Sequence, residues 1–152
     1  MSNFSQVHEL LQHNQQLHAR TAAFYRVLSN DAKSERVKML LNTLVKHESD
    51  LSSSLQAYIV KAPDKILNTY FQFDHEHNVE DLFVPKFDSA QITTHDVELM
   101  ATAFDDYFCD LYTEMQEIVD CALVQELFEN LHEHMTEEKK RLSTDIYSMM
   151  DM

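Results

Sequence analysis

The sequence has no glycine in 152 residues, no tryptophan, only two prolines and two cysteines. A chain of this length ordinarily holds roughly ten glycines, so turns that need positive φ must be scarce and long helices must dominate. Walker loops, dinucleotide-binding fingerprints, nucleophile elbows and EF-hand loops all place glycine where the backbone bends sharply or closes on a ligand, so all four are excluded. No apolar run approaches the roughly 18 residues that a membrane-spanning helix needs.

Basic residues are also few. Twelve Lys and Arg stand against 26 Asp and Glu, a formal charge of −14 that repels phosphate backbones and anionic lipid surfaces. Nucleic acid and membrane are therefore poor partners, whereas a cation or another protein suits. Cys109 and Cys121 fall on one predicted helix about 18 Å apart, too far to bridge. Unpaired thiols, with no cationic-then-apolar leader, point to a reducing, cytoplasmic setting.

What is present is apolar spacing at steps of three and four. Val7, Leu10, Leu11, Leu17, Phe24, Tyr25 and Leu28 predict a first helix over about 5–29, with Ser5 as its cap and Asn30-Asp31 as the turn. Val37, Leu41, Leu44, Leu51, Leu55 and Tyr58 predict a second over about 33–62, stopped by Pro63, which lacks an amide hydrogen. Helices over about 94–121 and 123–149 complete the set. The intervening 63–93 holds both prolines and the aromatics Tyr70, Phe71, Phe73, Phe83 and Phe87, a long crossover packed onto the bundle with a short helix near 64–71. The fold class is all-α, one domain over 1–152, built as two helix hairpins joined by a crossover.

The halves repeat at an offset of 87 residues: Tyr25 matches Tyr112, Val37 Val124, Leu41 Phe128, Leu44 Leu131, His47 His134 and Leu55 Leu142. Two carboxylates interrupt the apolar seams, Glu48 in the second helix and Glu138 in the fourth. An unpaired carboxylate on a buried face is costly, so each needs a metal or an internal partner.

The segment 24-FYRVLSNDAKSERVKMLLNTLVKHESDL-51 resembles the first hairpin of the ferritin-like superfamily, in particular its rubrerythrin-type members. The resemblance implies a ferritin-like four-helix bundle, in which each hairpin supplies one glutamate from its first helix and a Glu-x-x-His from its second to hold two irons. Carried over by position, Glu48 and Glu138 keep carboxylates, while Gln15, Leu51, Thr102 and Met135 stand where the other ligands would be. Two of six positions remain, so the standard di-iron chemistry is not implied.

One turn away, His18 on the first helix and Asp105 on the third stand at the same 87-residue offset. With Glu48 and Glu138 they make a polar set drawn from all four helices, three oxygen ligands and one imidazole, suited to iron or manganese. The function this favours is non-catalytic: a binding or interaction protein, dimeric through a helix face or engaged with another protein, that holds one divalent metal weakly. The alternative is a metal-dependent oxidase or peroxide-handling enzyme with an altered ligand set. The run 74-DHEH-77 offers His75 and His77 as a surface chelate.

Overall fold

The computed structural model describes residues 2–75, 79–83, 88–118 and 121–150. It is a helical bundle of two packed hairpins. Strand β1 (Ser2–Gln6) leads into α1 (Val7–Asp31), and α2 (Glu35–Lys61) follows. The crossover contains a short α3 (Asp64–Leu67), strand β2 (Tyr70–His75) and 3-10 turns at Val79–Phe83 and Ser89–Gln91. Then come α4 (Thr94–Ile118) and α5 (Ala122–Met150). No helix among the described residues is long and apolar enough to cross a membrane.

The helix ends show local chemistry at work. Helix α1 starts at Val7, two residues later than the Ser5 reading, because the Gln6 N–H donates to the Glu9 carboxylate at 3.3 Å. Its other end runs through Asn30 and Asp31, and the turn falls on 32–34 instead. Ser34 sets that boundary: its Oγ accepts from the Val37 N–H and caps α2. At the far end Ala62 is extended, as a residue before proline prefers. No described residue has positive φ, in keeping with a chain that lacks glycine.

The all-α expectation needs one addition, a two-stranded antiparallel ribbon. β1 pairs with β2, Phe4 opposite Phe73 and Gln6 opposite Tyr70, with an irregularity between Phe4 and Gln6. The ribbon ties the start of the chain to the crossover, and Val7 N–H donates to Thr69 O beside it. Farther along the crossover, Leu82 and Phe83 pack against the bundle core. Arg20 of α1 holds this segment down, donating twice to the Glu80 carboxylate at 2.7 Å and lying 3.9 Å above the Phe83 ring. Phe87 and His77, singled out from the sequence, lie outside the described residues, as does the side chain of His75.

The apolar core comes in two clusters. One contains Leu17, Leu51, Phe108 and Met135; the other contains Tyr25, Leu44, Phe104 and Leu142. On every long helix the boundary between them falls at a polar residue: His18 between Leu17 and Tyr25, Glu48 between Leu44 and Leu51, Asp105 between Phe104 and Phe108, Glu138 between Met135 and Leu142. A polar layer therefore crosses the bundle at one level, with oil above and below.

Candidate metal centre

Three members of that layer are deeply buried: His18 and Glu48 are 1% exposed and Asp105 is 3%. Helical periodicity puts each on the inward face of its own helix, where an apolar residue would otherwise sit. His18 Nδ1 donates to Glu48 Oε2 at 2.5 Å. The His18 ring is fixed from its other side by stacking on Phe108, centroids 3.8 Å apart and planes 13° apart. The answer to how Glu48 is tolerated on an apolar seam is thus a partner, as the energetics of buried charge demand.

The centre also contains a residue that the sequence reading did not place there. One ring nitrogen of His47, one oxygen of Glu48 and one of Asp105 all lie within 4.8 Å of one another. The His47 side chain is 10% exposed, and its Nδ1 lies 3.3 Å from Glu138 Oε2. Its Nε2 is buried and has no hydrogen-bond partner. Glu138 is less enclosed, its side chain 18% exposed, and also meets Arg141 at 3.4 Å. So all four residues proposed from the sequence converge: Glu48 and Asp105 directly, His18 through Glu48, and Glu138 through His47.

Charge in this enclosed space is mutually perturbing. Burial, then the nearby Glu48 charge, pushes the Asp105 carboxyl up to about 8, with Lys139 opposing the rise. At neutral pH Asp105 keeps its proton, which spares the layer a second adjacent negative charge. Burial lowers the pKa of His47 against the pull of Glu48 and Glu138, so its ring is neutral. The Tyr25 hydroxyl is buried without a partner, and burial together with the charges of Glu48 and Asp105 holds its pKa well above the ordinary value.

The positions that carry the ferritin-like resemblance behave differently. Gln15 ties α1 to α2, its Nε2 donating to Ser52 Oγ at 3.0 Å while that hydroxyl donates to the Gln15 carbonyl. Thr102 is exposed, and Leu51 and Met135 are buried apolar residues. Cys109 and Cys121 are partly buried free thiols. No protein-family model, no curated protein and no solved structure matches the chain.

Proposed function

We propose that this chain is a non-catalytic, ferritin-like binding protein that holds one divalent transition metal, iron or manganese, inside the bundle. The observation that carries this reading is the state of His47. With a carboxylate at one ring nitrogen, the other is a neutral, buried lone pair with no partner, on a ring that comes within 4.8 Å of two carboxylates from different helices. A carboxylate behind an imidazole is how metal-ligating histidines are oriented and made more basic. Leaving such a nitrogen unsatisfied costs free energy that a metal bond would recover.

His47, Glu48 and Asp105 are the ligands in this reading. His18 holds Glu48 from behind, and Glu138 holds His47. One imidazole and two carboxylates suit a hard or borderline divalent ion. Three carboxylates in all, one of them turned to Arg141, are too few to neutralise two irons, which favours holding over di-iron catalysis. The exposed apolar side chains Val27, Met39, Val60, Leu99, Leu123 and Tyr147 are those a second copy or another protein would cover.

Dialysis of metal-free protein against Mn(II) or Fe(II), followed by thermal unfolding and elemental analysis, tests the reading. A single ion per chain, lost in Glu48→Ala and in His47→Leu, supports it. Equal metal content in both variants and the unmodified chain would overturn it. The oxidase or peroxide reading is separable in the same samples: it requires the iron-loaded protein to consume peroxide faster than the same iron free in buffer.

A further inference from the structure

Beside the polar layer, on the side of the Leu51 and Met135 cluster, the bundle encloses a second feature, a cavity of about 210 Å³. His18, Leu51, Leu55, Tyr58, Tyr112 and Met135 line it, with Ser54, Leu131 and His134 completing the wall. Of its inner wall, His18, Leu51, Leu55, Tyr112 and Met135 are buried and Tyr58 and Leu131 partly so, all but His18 apolar or aromatic; Ser54 and His134 are exposed and mark its mouth between α2 and α5. Leu51, Ser54 and His134 also line the larger polar groove along α2 and α5, so the cavity opens into that groove.

We infer that this cavity is a binding site for a small, uncharged, phenol-like molecule, a single ring with one hydroxyl, whose hydroxyl meets His18. Size is the first argument. A cavity of about 150 Å³ lined by aliphatic and aromatic side chains accommodates benzene, so this one takes one ring with small substituents and nothing drug-sized. Lining is the second. Tyr58 and Tyr112 offer ring faces and edges to an aromatic guest, and no Lys, Arg, Asp or Glu is present to compensate a charged one. The hydroxyl is the third. His18 Nδ1 is committed to Glu48, which leaves Nε2 as the ring nitrogen available to a guest. A hydroxyl both donates and accepts, so it can pair with that nitrogen. The site arises because Leu51 and Met135 are apolar, and it does not depend on the metal centre holding an ion.

Titration calorimetry and thermal unfolding of the full-length protein, as purified and after chelation, with p-cresol, toluene and benzoate test this. The expected result is saturable binding of p-cresol in both preparations, about tenfold tighter than toluene for the hydroxyl, and no binding of benzoate. Leu51→Phe adds volume to the cavity wall and should weaken p-cresol binding by about tenfold or more. Leu131→Phe, at a partly buried position, does the same should Leu51→Phe fail to fold. The inference is overturned if p-cresol does not bind saturably, if toluene binds equally well, or if neither filled variant that folds weakens binding. Because chelated protein is one arm, these outcomes are read independently of metal content.

Discussion

At one repeat position the first hairpin places His47, nine-tenths buried with Glu138 beside it, and the second places His134, exposed at the mouth of a cavity. One register over, the first hairpin has Glu48 and the second Met135; three residues on, Leu51 and Glu138. The apolar frame is the same in both, with Tyr25 and Tyr112, Val37 and Val124, and Leu41 and Phe128 all buried. The polar groups are not. Three of the five side chains in the centre come from α1 and α2, and α4 and α5 give one each. Two hairpins with matching apolar spacing can thus share their packing while the polar groups gather on one side, since packing asks only for apolar volume and a site asks for particular atoms.

The sharpest way to break that comparison is at Glu48. Glu48→Leu removes the partner of a fully buried histidine, and should destabilise the metal-free protein by about 3 kcal/mol and abolish metal binding. The double change His18→Phe with Glu48→Leu replaces the buried pair by apolar volume and should recover most of that loss in a urea titration. If Glu48→Leu alone stabilises, the pair is not what holds the layer.

Next in size is the histidine contrast. His47→Leu should lower affinity for Mn(II) by more than the roughly 10- to 100-fold that loss of a ligand's supporting partner costs. His134→Leu, at the matching repeat position, should leave that affinity unchanged by calorimetry. Equal losses in the two variants would place the metal in the groove between α2 and α5 instead of at the buried layer.

Smaller again is a pH effect at Asp105. Its folded pKa, about 8, lies above the ordinary 3.8, so the folded state binds an extra proton across that interval. Stability of the metal-free protein therefore falls as pH rises towards 8, by up to about 1.4 kcal/mol per pH unit, and Asp105→Asn flattens the slope. His47 acts oppositely and only below 6.5, where a ring kept neutral by burial loses its contribution as pH falls. The clean window for Asp105 is therefore pH 6.5 to 8. Metal binding should release the Asp105 proton, so affinity rises over the same window.

The smallest effect is expected at Arg20 and Glu80, whose side chains are 47% and 62% exposed. Arg20→Ala should shift the urea midpoint less than any change above, since solvent screens such a pair.

Much of this was readable in advance, for identifiable reasons. Long apolar seams and Pro63 marked the helices to within a few residues, and Glu48 was conspicuous because the seam around it was otherwise unbroken. The same 87-residue offset paired His18 with Asp105 before any geometry. His47 escaped because it lies about 100° around α2 from Glu48, off the seam, and its role depends on which helix that flank meets. Here that helix is α5, which brings Glu138. The ribbon was illegible for a similar reason: pairing Ser2–Gln6 with Tyr70–His75 is a long-range event with no periodic signal of its own. The turn at 32–34 was not legible because Asn30-Asp31 has the composition of a turn pair, while in the structure the helix runs through it and Ser34 caps α2.

The central claim, that four helices converge a metal-holding set on one buried layer, is tested most directly by the Co(II) absorption spectrum of the chelated protein titrated with that ion. Visible d–d bands that saturate at a single equivalent, and vanish in Glu48→Ala but persist in Met135→Ala, are what the account expects. Bands that are absent from the unmodified protein, or that survive loss of Glu48, would contradict it.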